Sequence, residues 1–439
     1  MNEGKISSIA KKLVIAYMIL TFVSILMPDE FVLGINGRKG EVDPLQMIIR
    51  WFNFASFIVL PIATYFNKPL FKKIAVYFCL PVAIVLMCYF EKMLSGFTSE
   101  LGTGISDIRY LPDFIADMMH NEVFRGILFF LTLVTQIGTI VLLIVDDKTF
   151  LKFKKEDILN FIALILLLIA SVVPPYALEG IFNTYTNLIF KAFSLSHFVW
   201  LLMMVLEITL LTIIFKRRSY EDRYILVLIL ALSLLLQFNE LFATLGELTC
   251  KRMPLQLCNI AAYLILISII TKNRNLFLFN ILVNVAGGVI AALVLDVEGK
   301  GILYWSNIHY IIEHNNVIIV PLLCLILGIF EPITKKDYKK FVIGFSGYYI
   351  LIFIIGTLFN SIYKATGSNY FYCNYLFMFD RDTAERLIDF AGMLFELEIN
   401  IGSVTLYPIG QIVIYLAFLG IGSLTYIILK NAVKKKEVV

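Results

Sequence analysis

The feature that most constrains this chain is a series of twelve apolar stretches separated by polar connections. Each stretch is long enough to cross a hydrocarbon core of ~30 Å as a helix that rises ~1.5 Å per residue. In lipid every backbone polar group must be satisfied within the protein, and a helix does this by itself. The sequence therefore predicts an all-α polytopic membrane protein. The predicted spans lie near residues 10–27, 46–66, 74–90, 123–145, 158–175, 196–215, 224–243, 255–271, 276–295, 315–330, 341–361 and 409–429.

The composition supports this fold class and excludes others. Hydrophobic residues make up 59% of the 439 residues and charged residues 16%, whereas soluble domains average about 45–50% and about 25%. Such an excess does not fit one soluble core, because the surface of a soluble protein must face water. A disordered chain and a secreted disulfide scaffold are excluded as well. The net charge of +4 gives no argument for nucleic acid as a partner. Because the common metal-binding and nucleotide-binding spacings are absent, we expect no metal and no cofactor.

The positions of lysine and arginine predict the orientation of the spans. With the N-terminus in the cytoplasm, about two thirds of the 37 lysines and arginines fall in the short cytoplasmic connections. Such loops carry an excess of basic residues in membrane proteins. We therefore expect a plasma-membrane protein with both termini in the cytoplasm. The longer connections expected on the outer face lie near 28–45, 91–122, 176–195, 296–314 and 362–408, and they include possible amphipathic helices at 111–119 and 384–397.

Two polar residues predict a site near the outer ends of two spans. Cys258 lies about one turn inside the eighth span and His314 opens the tenth, so we expect them at the same depth. A thiol becomes nucleophilic when a base raises its thiolate fraction, and imidazole is the usual base. A buried apolar cysteine and an interfacial histidine would show the same spacing, so spacing alone leaves both interpretations open. Two other cysteines, Cys250 and Cys373, are expected in exposed outer loops.

Further polar residues keep other functions open. Glu207 lies in the middle of the sixth span, where a carboxylate is costly and marks either function or a protonated hydrogen bond between helices. With twelve spans, this residue is compatible with a secondary transporter or a lipid flippase. His197 opens the same span and is a further polar candidate. A third interpretation, a glycosyltransferase that uses a polyprenyl lipid, rests only on Asp29 and Glu30.

Several short motifs in a fixed order carry a family resemblance. They are Ser194-Leu195-Ser196-His197, Pro254-Leu255-Gln256-Leu257-Cys258-Asn259, Gly287-Gly288 followed by Asp296, then His314, and Gly367-Ser368-Asn369-Tyr370. With these motifs, residues from about 192 to 431 resemble the YwaF-type bacterial integral membrane proteins, the family of transmembrane protein 164. The resemblance implies a seven-helix membrane domain at 191–439, preceded by a five-helix membrane region at 1–190.

The resemblance also implies a function and its residues. The animal member of the family is understood as a membrane acyltransferase that makes polyunsaturated ether phospholipids. Its proposed nucleophile matches Cys258, and its histidine partner would correspond to His314. We therefore expect an acyltransferase or acyl hydrolase that acts on phospholipid or lysolipid at the outer leaflet, with Cys258 as nucleophile and His314 as base. Candidate groups for stabilising the oxyanion or orienting the histidine are Gln256, Asn259, Asn315, Glu240 and Asn369.

Overall fold

The structure is a computed structural model that describes most of the chain. The described residues are 3–25, 44–88, 122–173, 188–244, 250, 253–293, 295, 301–382, 385 and 389–437. The chain divides into two compact units. One comprises Met1–Asn183 and Asn239–Glu247, and the other comprises Thr184–Phe238 and Leu248–Val439.

The N-terminal region of the first unit is built from helices that follow the predicted spans. Proline opens two of them, at Pro44 and Pro69, where its missing N–H costs nothing. The helices are α1 (Glu3–Ile25), α2 (Pro44–Tyr65), α3 (Pro69–Cys88, with a π turn at Ala75–Cys79), α4 (Glu122–Asp146) and α5 (Lys155–Val172), and a short 3₁₀ turn at Thr149–Leu151 follows α4.

Close helix packing and buried ion pairs hold these helices together. Helix α1 packs along α4 and α2, and a Cβ atom on Gly138 of α4 would lie 2.9 Å from the Leu13 side chain of α1. Helix α3 begins at Pro69, earlier than the predicted residue 74, so Lys72 and Lys73 lie within it and are buried. Lys73 forms an ion pair with Asp157 in the first turn of α5. The pair fixes the start of α3 against the start of α5.

The second unit contains the remaining described helices and a small hairpin. Its helices are α6 (Leu195–Phe215), α7 (Tyr220–Thr244, whose last residues group with the first unit), α8 (Leu257–Thr271), α9 (Arg274–Leu293, with a π turn at Asn280–Asn284), α10 (Trp305–Ile326), α11 (Lys335–Thr366) and α12 (Pro408–Glu437).

Helix α9 packs against α8, α10, α11 and α12. A Cβ atom on Gly287 would lie 3.3 Å from Leu257 of α8, and one on Gly288 would lie 2.9 Å from Ile318 of α10. The two glycines therefore allow close approach to two different neighbours. Small residues allow this kind of contact between membrane helices. Through these contacts α9 places the start of α8 near the middle of α10.

The connection from α11 to α12 contains local structure that the sequence did not predict as such. It includes 3₁₀ turns at Asn369–Phe371, Tyr375–Phe377 and Asp389–Phe395. A two-stranded antiparallel hairpin, β1 (Ile399–Ile401) and β2 (Val404–Leu406), precedes α12. The possible amphipathic helix at 384–397 is thus a 3₁₀ helix over its described part, and the one at 111–119 lies outside the described residues.

The length and apolar composition of its helices identify this chain as a polytopic membrane protein. Within the described residues, eight helices are long and apolar enough to cross a membrane, and three shorter apolar helices accompany them. The all-α polytopic fold is therefore confirmed, while the count of twelve spans and the cytoplasmic position of the termini stay predictions.

The tenth helix differs most from its predicted range. The sequence predicted a span at 315–330, but α10 begins at Trp305. Residues 305–314 are rich in polar side chains, which lowers the hydropathy on which the prediction relied. Several of these polar side chains are nevertheless buried, among them His309, Glu313 and His314. His314 therefore lies about two and a half turns inside the helix and does not open it.

Candidate active site

His314 is a buried histidine whose ring orientation is fixed by its own helix. Its Nδ1 bonds the backbone carbonyl of Tyr310 over 2.7 Å. A carbonyl oxygen only accepts, so Nδ1 carries the hydrogen, and in the neutral ring Nε2 keeps the lone pair. The ring also lies against the Tyr310 ring, with 4.1 Å between centroids. The Tyr310 carbonyl thus supplies the orienting contact that the sequence analysis sought in Glu240 or Asn369, and it leaves Nε2 free to act as a base.

Two further buried titratable residues lie on the same helix. The Nε2 atom of His309 lies 3.2 Å from Oε2 of Glu313, one turn along α10. Each side chain is 7% exposed. Within the described part of the chain, Nδ1 of His309 and Oε1 of Glu313 have no hydrogen-bond partner. This pair was not predicted from the sequence. The i, i+4 spacing of histidine and glutamate could have indicated it, but residues 305–314 were predicted as a loop, where that spacing has no meaning.

Cys258 lies at the start of the helix next to α10. It is the second residue of α8 and is half-buried, and α8 packs against α10. The thiol donates to Oδ1 of Asn259 over 3.2 Å. The Glu313 carboxylate lies close enough for its charge to act on the thiol. Among the hydrogen bonds of the described residues, none joins Cys258 to His314, so the predicted direct pair is not formed in this conformation.

Asn315 is held by an aromatic residue of α6. The Nε1 atom of Trp200 donates to Oδ1 of Asn315 over 2.6 Å. Because the amide oxygen accepts this bond, the amide nitrogen remains as a donor. Asn315 follows His314 on α10, so the structure keeps it among the candidates for an oxyanion donor.

His197 has both ring nitrogens engaged in structural hydrogen bonds. Its Nδ1 accepts from the backbone N–H of Phe193 over 2.9 Å, and its Nε2 bonds the carbonyl of Ala292 over 2.7 Å. The ring is buried. This histidine links the start of α6 to the end of α9, and the arrangement leaves it no free nitrogen for chemistry.

Gln256 is likewise occupied by the backbone of a neighbouring turn. Its amide nitrogen donates to the carbonyl of Asn374 over 3.0 Å, and its amide oxygen accepts from the N–H of Leu376 over 2.9 Å. Tyr348 of α11 donates to the backbone carbonyl of Leu255, the residue before Gln256. Gln256 therefore anchors the chain that enters α8 and, with both amide groups engaged, does not offer a donor to an oxyanion.

The other candidates are placed apart from this cluster or only partly described. Glu240 lies in α7, and its side chain is outside the described residues. Asn369 is exposed in a 3₁₀ turn. Glu207 is half-buried in the middle of α6, a helix that presents many large apolar side chains on its exposed surface. The structure therefore places the unforeseen His309 and Glu313 together with His314 on α10. The charge of Glu313 also acts on Cys258, while Asn315 contacts Trp200 of α6.

The expectation that Cys250 and Cys373 are exposed is wrong. Both thiols are buried. Burial raises the pKa of the Cys250 thiol and raises the pKa of Cys373 to about 12. The connection from α11 to α12 covers Cys250, since Tyr375 donates to the Cys250 carbonyl. Cys373 belongs to this connection, and Asn360 of α11 donates to its carbonyl over 2.8 Å. Cys88 is the exposed thiol among the described cysteines.

The residues of the cluster fall inside one family match. The sequence model of the TMEM164 family matches residues 192–422, which is more than half of the chain. The chain belongs to the TMEM164 family. The TMEM164 match covers α6 to α11 and the beginning of α12, and it contains Cys258, His309, Glu313 and His314. Helices α1 to α5 precede it. Comparisons with the curated proteins and with the solved structures find no match. Among the described residues, no group of three or more His, Cys, Asp or Glu side chains is arranged to hold a metal ion.

Proposed function

We propose that this TMEM164-family protein transfers or hydrolyses acyl groups of membrane lipids, with Cys258 as nucleophile and His314 as base. The observation that carries the proposal is the buried imidazole of His314, whose Nδ1 bond to Tyr310 leaves Nε2 free. The thiol of Cys258 lies at the start of the helix that packs beside it. A preoriented base and a thiol on neighbouring helices are the two groups that cysteine acyl transfer requires.

The proposed reaction requires the thiol first to leave Asn259 and reach His314. The S–H of Cys258 turns from Asn259 to Nε2 of His314 and loses its proton there. The thiolate attacks the ester carbonyl of a phospholipid, a C–S bond forms, and the C–O bond to glycerol breaks. The leaving alkoxide takes the proton from His314 and departs as lysolipid. A hydroxyl of a second lysolipid, or water, then attacks the thioester, gives its proton to His314 and releases Cys258.

A charge and hydrogen-bond donors around Cys258 and His314 support these proposed reaction steps. The Glu313 carboxylate acts electrostatically on His314 and stabilises the imidazolium that forms when Cys258 gives up its proton. The free amide nitrogen of Asn315, set by Trp200, can donate to the oxyanion of the tetrahedral intermediate. A half-turn of the Asn259 amide places its N–H groups toward the sulfur, where they stabilise the thiolate.

The membrane arrangement is part of the same proposal. We infer that all twelve helices cross the plasma membrane, with both termini in the cytoplasm and the site toward the outer leaflet. The distribution of basic residues supports this orientation. In a variant without native cysteines, an impermeant thiol reagent added to cells should label Thr366→Cys at the end of α11, and it should not label Ser219→Cys between α6 and α7. Reversed labelling would contradict the outer-leaflet site.

The catalytic proposal is tested with purified protein in liposomes. The liposomes contain a phospholipid with a labelled acyl chain and an unlabelled lysolipid acceptor. Wild-type protein should form labelled product and a hydroxylamine-sensitive thioester, detected by intact mass. Cys258→Ala should abolish both. Cys324→Ala removes another buried thiol of the same unit and serves as the matched control, which should retain activity. Full activity of Cys258→Ala would refute the thioester mechanism.

A further inference from the structure

The first unit contains a partly open polar cavity that lies outside the TMEM164 match. Its volume is about 150 Å³, roughly ten times the ~10–15 Å³ that one water molecule requires. The walls come from the start of α1, the end of α2, the first turns of α3 and the end of α4. These four helix ends meet at one end of the unit. It is the end that carries the basic residues of the predicted cytoplasmic connections.

A buried lysine forms part of the cavity wall. Lys72 lines it, and the residue is only 2% exposed. Its Nζ lies 3.7 Å from Oδ2 of Asp147 and 5.3 Å from the centre of the Phe150 ring. Asp147 in turn accepts from the N–H and hydroxyl of Thr149, over 2.8 and 2.6 Å. An ammonium has three N–H donors, so this single long ion-pair contact leaves Lys72 able to donate to a further acceptor.

A second lysine and neutral donors complete the walls. Lys11 of α1 lines the cavity and lies over the Tyr65 ring, 5.7 Å from its centre. Tyr65 donates to the Lys11 carbonyl over 3.4 Å, which holds this turn of α1 against the end of α2. Ser7 adds a hydroxyl, and Asp146 is the single acid among the lining residues that the structure describes.

We propose that this cavity binds the phosphate group of a small phosphate ester at the cytoplasmic face. The Lys72 side chain is buried while its partner Asp147 is partly exposed, and a phosphate offers several charged acceptors to Lys72 and Lys11 at once. Asp146 then accepts from a hydroxyl or an ammonium of the same ligand. Basic pockets between membrane helices on this side bind anionic headgroups, so the ligand is either an inner-leaflet phospholipid or a free phosphate ester. This inference is independent of the proposed acyl transfer.

The test compares two adjacent lysines of α1. Lys11 lines the cavity, whereas Lys12 is exposed, so Lys11→Gln and Lys12→Gln remove the same charge from neighbouring positions. Binding to delipidated full-length protein is measured by thermal stabilisation and by native mass spectrometry. The probes are short-chain phosphatidylglycerol, glycerol 3-phosphate and inorganic phosphate. Lys11→Gln should weaken binding about tenfold, the loss expected for one charge-assisted contact, and Lys12→Gln less than twofold.

The probes distinguish the two sources of phosphate. Preference for phosphatidylglycerol over glycerol 3-phosphate identifies a lipid headgroup, and equal affinity identifies a free phosphate ester. Lys72→Met combined with Asp147→Asn removes both charges of the ion pair and should abolish binding while the protein stays folded, because neither charge is then left without its partner. Equal effects of Lys11→Gln and Lys12→Gln, or no binding of any probe to wild-type protein, would overturn the proposal.

Discussion

The contact between α9 and α10 can be tested by adding one methyl group at Gly288. A Cβ atom at this position would lie 2.9 Å from Ile318 and 3.4 Å from Val317, both on α10. Ordinary carbon contacts lie at about 3.5–4.0 Å. Gly288→Ala therefore forces the two helices, or the Ile318 side chain, to move by about 0.6–1 Å. Ile318 lies one turn after His314, so the displacement acts directly beside the proposed base.

The expected change in the free energy of unfolding of Gly288→Ala is the sum of two opposing effects. Overpacking of a filled site costs about 1–3 kcal/mol, while replacing glycine by alanine inside a helix stabilises by about 1 kcal/mol. Gly344 of α11 separates them, because a Cβ atom there meets no heavy atom within 4 Å. Gly344→Ala should show the helix gain alone. The two variants should therefore differ in free energy of unfolding by about 1–3 kcal/mol, with Gly288→Ala the less stable.

The assay has two readouts. Equilibrium unfolding in mixed micelles, followed by far-UV circular dichroism, measures the difference in stability. The rate at which a lipid-like electrophile labels Cys258 measures whether the α8, α9 and α10 arrangement at the site has changed. We expect Gly288→Ala to lower both, and Gly344→Ala to leave the labelling rate at its wild-type value. If the two variants are equally stable, α9 and α10 are not in the close contact that places His314.

Three further predictions concern separate side chains. Trp200→Phe removes the donor to Asn315 and should reduce the rate of acyl transfer about tenfold or more, the usual effect of disturbing an oxyanion donor, with little change in the substrate concentration at half-maximal rate. Hydrogen bonds from the Thr149 hydroxyl and N–H lower the pKa of Asp147. The stabilisation from this carboxylate is therefore complete above its unfolded-state pKa and is lost as the pH falls through its lowered folded-state pKa. In Asp147→Asn, the free energy of unfolding should therefore fall less steeply at acidic pH. Glu207→Gln should leave acyl transfer unchanged, because glutamine keeps a donor and an acceptor; abolished function in a transport assay would instead favour the transporter interpretation.

Hydropathy predicted the helices well where they are apolar and failed where a helix is polar inside the bundle. The ranges predicted for α4, α6 and α9 agree with the structure to within about two residues. The start of α10 was predicted at 315 because the residues before it read as an outer loop. In the structure those polar side chains bind within the helix or to its neighbours, as His309 does with Glu313. A hydropathy window cannot recognise polar groups that are satisfied by tertiary contacts.

The same limit applies to the predicted site residues, because their hydrogen bonds also depend on tertiary contacts. The sequence predicted Cys258 and His314 at the same depth, but it could not tell which polar atoms were already engaged. Gln256 and His197 look like reactive groups in the sequence and are structural, because backbone groups more than ninety positions away occupy them. The burial of Cys250 has the same origin, since Tyr375, which contacts it, is distant in sequence.

Two buried polar atoms of α10 without hydrogen-bond partners bear on the proposed reaction. Nearly all buried polar groups in proteins have a partner, and leaving one unpaired costs about 1–3 kcal/mol. His309 Nδ1 and Glu313 Oε1 are both buried without a partner in the described part of the chain. A helix that served only to cross the membrane would carry apolar residues there, at no such cost. Under the proposed function, the polar part of a lipid substrate that reaches Cys258 would offer hydrogen-bond partners to these two atoms and so recover this cost on binding.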